Sequence, residues 1–176
     1  SRYGEEHFDA VFIACHSDQA LSMLEAPTKA EQEILGAIRY QPNEVLLHTD
    51  SSVMPRRKRA WAAWNFHLLE GHQGQVPVTY NMNILQGLDC EEQFCVTLNN
   101  SEAVDPSKIL KRLNYHHPIY TQQSVAAQAR QSEINQDRIF FCGAYWRFGF
   151  HEDGVVSALE ALRHFERDTL NRTVCE

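Results

Sequence analysis

Residues 138–165 read RIFFCGAYWRFGFHEDGVVSALEALRHF, and the fold turns on how this stretch is parsed. Ile139 to Cys142 is a short apolar run, the pattern of a strand buried on both faces. Gly143, Gly149 and Gly154 punctuate the residues beyond it. Glu152-Asp153-Gly154 marks a helix start, with Asp153 placed to accept from free backbone N–H groups and Gly154 keeping the approach open. Val155, Leu159, Leu162 and Phe165 then recur at helical spacing. A strand that enters a helix through glycines lets backbone N–H groups approach a ligand, and the helix dipole favours negative charge there. The segment therefore predicts a strand, turn and helix that hold a cofactor.

Working outward, Phe8 to Ala14 is a second continuous apolar run, predicted as a strand buried on both faces, with a helix from about Asp18 capped by Ser17. Thr28-Lys29-Ala30-Glu31 matches a capping box, and Ile34, Leu35 and Ile38 share one helical face behind it. From Glu44 the period becomes two: Val78, Tyr80, Met82 and Ile84 alternate with polar residues, as do Phe94, Val96 and Leu98. Gly87-Leu88-Asp89 reads as a turn. With Val45 to Thr49 and Leu113 to Tyr120 this gives about four strands in one antiparallel sheet, Pro118 marking the last as an edge or bulge. Gln123 to Ile134 reads as one helix. The fold expected is α/β with an α+β insert: residues 1–40 and 137–176 form parts of a Rossmann-like dinucleotide domain, and 41–136 an inserted substrate domain with an antiparallel sheet.

Five stretches, the opening one together with FDAVFIACHSDQAL (Phe8–Leu21), VLLHTDSSVMPRRKRAWAAWNF (Val45–Phe66), VTYNMNILQGL (Val78–Leu88) and HPIYT (His117–Thr121), carry a resemblance. In content and order they resemble the C-terminal part of flavin-dependent amine-oxidase-like proteins, and most nearly the NAD/FAD-binding oxidoreductases associated with cyclopropane-fatty-acid synthases. The resemblance implies FAD as cofactor and hydride transfer from substrate to flavin N5, with an unsaturated or cyclopropane fatty acyl substrate suggested by gene association. It places Gly143 and Ala144 by the ribityl-phosphate portion and Asp153, Gly154 and Val155 at the flavin O2 side, with Tyr145 and Glu152 also among the cofactor-binding residues. The eight glycines contain no Gly-x-Gly-x-x-Gly spacing, so the resemblance makes this the C-terminal portion of a longer flavoprotein whose pyrophosphate-binding segment lies upstream.

Trp146, Phe148 and Phe150 cluster beside the turn and are candidates for the wall of a substrate cavity, against an ordinary core role. The family's amine-oxidising members carry an aromatic pair that this stretch does not reproduce, which counts against an amine. His151 is the only histidine in the turn, and its ordinary pKa near 6.5 suits proton transfer, so it is the candidate catalytic residue. Trp61 and Trp64, three apart, are expected on one face of a helix or tight turn. Trp64 and Tyr80 are the candidate substrate contacts of the insert.

Composition narrows the classes. The chain has 176 residues, 43% of them hydrophobic, enough for a real core. Its apolar stretches are too short to span a bilayer and no N-terminal signal is visible. The formal net charge of −7 argues against general nucleic-acid binding. Arg56-Arg57-Lys58-Arg59 is a basic exception, read as a solvated loop. Cys15, Cys90, Cys95, Cys142 and Cys175 lack paired spacing, which fits a reduced, cytoplasmic protein, and no metal site is expected. Two rival readings stay open: a cofactor-free fold remnant or interaction module, and a cysteine–histidine hydrolase using Cys142 with His151. The apolar setting of Cys142 counts against the latter.

Overall fold

The computed structural model describes residues 4–68 and 74–174, with the side chains of 171–174 left aside; Cys175 lies outside the described residues. It is a mixed α/β structure with a five-stranded antiparallel sheet and six α-helices. The chain divides into two compact units, Ser1–Tyr40 with Pro118–Glu176, and Gln41–His117. Residues 118–136, assigned to the insert from sequence, belong to the first unit, where α4 (Gln122–Gln128) and α5 (Gln131–Ile134) pack on α2 (Lys29–Ala37).

In that first unit β1 (Val11–Ile13) and β7 (Ile139–Phe141) run parallel, Val11 beside Ile139 and Ile13 beside Phe141. Phe12 stacks on Phe140 with ring centroids 5.1 Å apart, and Phe165 of α6 (His151–Val174) meets Phe140 edge-on at 5.5 Å. Phe141 belongs to a separate cluster with Ala20, Ile34, Leu35, Ile38, Ala127, Ile134, Tyr145 and Trp146. Helices thus pack on both faces of β7. The outer edge of β7 is closed by a side chain: the Phe141 backbone donates to Asn135 Oδ1 at 2.7 Å, and Asn135 Nδ2 donates to the Phe141 carbonyl at 3.2 Å. β1 does not meet the expectation of burial on both faces, for Val11 is 43% exposed and Phe12 40%. Among the described residues one strand, β7, flanks it, so half of the surface a central parallel strand hides stays open.

The helix starts follow local chemistry. Thr28 Oγ1 accepts from Glu31 N at 3.2 Å and Thr28 N donates to Glu31 Oε2 at 2.6 Å, the capping box read from sequence. α1 (Ser17–Met23) begins one residue earlier than expected, with His16 as cap, because Ser17 Oγ donates to the Ile38 carbonyl at 3.1 Å instead of capping. The single helix expected over 123–134 is broken into α4 and α5, with Ala129 and Arg130 between them.

The second unit orders its strands β3-β4-β5-β2-β6, with β2 (Tyr40–His48), β3 (Trp64–Phe66), β4 (Val78–Asn81), β5 (Cys95–Leu98) and β6 (Ile109–Pro118). β6 is an edge, where the missing Pro118 N–H breaks no ladder bond. The alternation running through Met82 and Ile84 is not all strand: Asn81 Oδ1 accepts from Ile84 N at 3.0 Å, starting a short α3 (Met82–Gln86) that left-handed Gly87 ends at φ 64°. Trp61 and Trp64 do not share a helix; Trp61 follows a 3-10 turn over Lys58–Ala60 and Trp64 opens β3.

Candidate functional site

Parallel strands point their carboxyl ends the same way, and in the first unit those ends carry the candidate cofactor residues. Gly143 leaves β7 with φ 153°, and its N–H donates to Ser157 Oγ at 2.7 Å, while Ser157 Oγ donates to the Gly154 carbonyl at 3.0 Å. Ser157, a residue the sequence reading missed, therefore ties the turn to the second turn of α6. An added Cβ on Gly143 would lie 2.5 Å from Tyr145 Cε1, so only glycine lets the tyrosine ring fold under this turn. Gln128 Nε2 supports the same turn by donating to the carbonyls of Tyr145 (2.8 Å) and Arg147 (2.7 Å).

Helix α6 starts at His151, two residues ahead of Asp153, the residue expected to cap it. Asp153 is buried and reaches back, its Oδ2 accepting from Phe150 N at 3.0 Å and Phe148 N at 3.2 Å, with Arg147 Nε 3.7 Å from Oδ1. Its carboxylate organises the turn and leaves the first-turn N–H groups of the helix without an intrahelical acceptor. Gly154 lies beside the Ala144 backbone, where a Cβ would meet Ala144 N only at 4.0 Å. His151 and Glu152 are exposed at the helix start, and Val155 is 54% exposed.

The aromatic cluster separates into two groups. Phe148 and Phe150 are exposed, at 72% and 57%. Trp146 is buried in the core beside Tyr145, so the structure gives it a packing position rather than an open wall. Among the described residues, Tyr145 Oη and Trp146 Nε1 are both buried without a hydrogen-bond partner. Burial pushes the Tyr145 phenol far above its ordinary value, so it stays a neutral donor. His16, at the carboxyl end of β1, stacks on Tyr40 at 4.3 Å. Cys142 is buried, and burial raises its thiol, with Cys15 nearby adding to the effect; this is the reverse of what a nucleophile needs.

In the second unit the two faces of the sheet differ. Trp64 pairs with Tyr80 and Tyr80 with Val96 on one face, where Trp64 and Phe66 are 55% and 58% exposed. The other face holds His48, Thr79, Asn81, Cys95 and Thr97, all buried. Structure thus unites Trp64 and Tyr80, the two candidate substrate contacts of the insert, on an open apolar surface. Among the described residues no group of His, Cys, Asp and Glu side chains is placed to hold a metal ion, and no helix is long and apolar enough to cross a membrane.

Compared with protein-family models and with curated proteins, the chain matches none.

Proposed function

We propose that this chain supplies the C-terminal strand–helix and the substrate sheet of an FAD-dependent oxidoreductase of the amine-oxidase-like kind, with hydride passing from substrate to flavin. The observation that carries the reading is the convergence of the parallel β1–β7 carboxyl ends, the Gly143 turn and the N-terminus of the 24-residue α6. Helix N-terminal N–H groups suit a negative ligand atom, and open strand ends are where α/β sheets take cofactors. Gly143, Ala144 and Gly154 would leave room for the ribityl chain and ring edge, while the N–H groups at Asp153 to Val155 would stabilise charge on the reduced ring. FAD would supply the redox chemistry. Exposed His151 sits at the same helix start and would move a proton there.

Two features support a remainder outside this chain that completes the cofactor site: no Gly-x-Gly-x-x-Gly turn occurs, and the face of β1 is open. The exposed apolar sheet face with Trp64, Phe66 and Tyr80 supports a lipid-like or other apolar small molecule as substrate, and the reading is of a cytoplasmic protein. The decisive experiment is the visible spectrum of the protein expressed with its upstream coding region, and of its denatured supernatant. Released FAD is expected; a colourless protein that cannot be reconstituted with FAD would replace this reading by a cofactor-free interaction module.

A further inference from the structure

The buried face of the five-stranded sheet carries one row of polar side chains that runs from just beyond β3 across β4, β5 and β2 in spatial order. His67, just after β3, bonds through Nε2 to Thr79 Oγ1 of β4 at 2.8 Å. Thr79 Oγ1 bonds to Thr97 Oγ1 of β5 at 2.7 Å, and Thr97 Oγ1 to His48 Nε2 of β2 at 2.7 Å. The row ends where Asp50 N donates to His48 Nδ1 at 3.1 Å. His48, Thr79 and Thr97 are at most 1% exposed.

That last bond sets the His48 tautomer, and full pairing along the row sets the rest. A backbone N–H can only donate, so His48 Nδ1 is an acceptor and the ring proton sits on Nε2, which donates to Thr97. Each threonine hydroxyl has one proton. For each of these protons to find its acceptor within the row, Thr97 donates to Thr79 and Thr79 to His67 Nε2, which places the His67 proton on Nδ1. Every donor from Asp50 N to the Thr79 hydroxyl then has an acceptor, and both imidazoles are neutral with opposite tautomers.

We propose that this row is an acid-sensitive lock on the sheet, holding β3 to β2 through β4 and β5 only while both histidines are neutral. A second proton on His48 would set Nδ1–H against the Asp50 N–H. A second proton on His67 would face the Thr79 hydroxyl and force it to turn towards Thr97, which would then meet two donors and lose the acceptor for its own proton. A buried donor without an acceptor is strongly unfavourable, so acid separates the strands rather than charging the rings in place.

Among the described residues, the charged and titratable groups facing the row are Asp50, with its partner Lys108, and Cys95. Asp50 lies beside His48 and favours its protonated form, but Lys108 at 3.3 Å and the N–H groups of Ser52 and Asp105 already occupy that carboxylate. Cys95 on β5 is the other titratable neighbour on this face, its thiol pushed up to about 11 by burial and by Asp50, hence neutral. Burial lowers the pKa of both His48 and His67, in the direction the geometry demands. A folded-state value below the unfolded one gives stability that is full above about 6.5 and falls as pH drops below it.

The test is NMR of the histidine ring nitrogens together with hydrogen-exchange protection of β4 and β5 amides from pH 7 to 5. His48 should carry its proton on Nε2 and His67 on Nδ1. Protection should fall by up to about 100-fold per pH unit, tenfold for each proton taken up on opening. In His67→Gln, whose amide oxygen can still accept from Thr79, the fall should shrink to about tenfold per unit. Either ring in the other tautomer, or a pH dependence unchanged by His67→Gln, overturns the proposal. The tautomer measurement on the unaltered chain decides the matter even if the variant does not fold.

Discussion

Trp64 and Tyr80 face each other across the β3–β4 pair, ring centroids 5.8 Å apart and planes at 68°, on the face of the sheet that is open. Such an aromatic cross-strand pair contributes about 1 kcal/mol, and more than half of Trp64 stays in solvent. Trp64→Ala should therefore lower stability by only about 1 kcal/mol. If this face binds the apolar substrate, the same change should weaken binding of a fluorescent fatty-acid probe by about tenfold, a loss of about 1.4 kcal/mol. Unaltered probe affinity would remove Trp64 from the binding surface.

Two glycines in the same turn should behave differently. Gly143→Ala forces a Cβ against the Tyr145 ring at a φ that side chains avoid, and should destabilise the protein by about 2 kcal/mol in urea unfolding. At Gly154 an added Cβ meets nothing closer than the Ala144 nitrogen at 4.0 Å. If this helix start holds the flavin edge, Gly154→Leu should lower the FAD content of the protein expressed with its upstream coding region; unchanged flavin would sink that placement.

Asp50 sets the acid limb of stability. Burial pushes its carboxyl up, but the N–H groups of Asp105 and Ser52 and the Lys108 ammonium outweigh that and hold it well below the usual carboxylate range. A lowered folded-state value means stability present above about pH 3.9 and lost as pH falls through the folded value. Asp50→Asn should cost about 2 kcal/mol at pH 7. Its urea midpoint should approach that of the unaltered protein as pH drops below 4; a constant gap across that range would contradict the assignment.

Thiol reactivity gives a fourth check. Cys90 is exposed, whereas Cys95 and Cys142 are buried with raised thiol pKa values. A thiol reagent at pH 7.5 should modify Cys90 rapidly and the two buried cysteines only on unfolding, as read by peptide mass. Fast labelling of Cys142 in the native protein would revive it as a nucleophile.

Local signals carried much of the first unit. The apolar run before Gly143, the Thr28 to Glu31 box and the spacing of Val155 to Phe165 each report neighbours within a few residues, which is the range over which helix and strand periodicity acts. The misses were of two kinds. Some were competing caps: Ser17 bonds to Ile38 instead of capping, and Asn81 starts a helix inside an alternating pattern, although the Asn81 and Gly87 spacing was a readable signal. Others were long-range. His67, Thr79, Thr97 and His48 lie 12 to 49 residues from their bonding partners, so no window on the sequence brings them together. Trp146 reads as a cavity wall in the sequence because composition shows that aromatics cluster but not which way each ring turns.

The ends of the inserted unit are neighbours in the outer one: Ile119 N donates to the Arg39 carbonyl at 2.8 Å. To the outer unit, everything between those residues is a loop whose closure is already met by one backbone bond, and loop entropy grows only by about 0.6 kcal/mol per doubling of length. Residues 41–117 can therefore lengthen, shorten or be exchanged with small thermodynamic effect on the β1–β7 framework. A sheet of a different size or chemistry can be carried on the same strand–turn–helix, as a cassette replaced with the framework left unaltered.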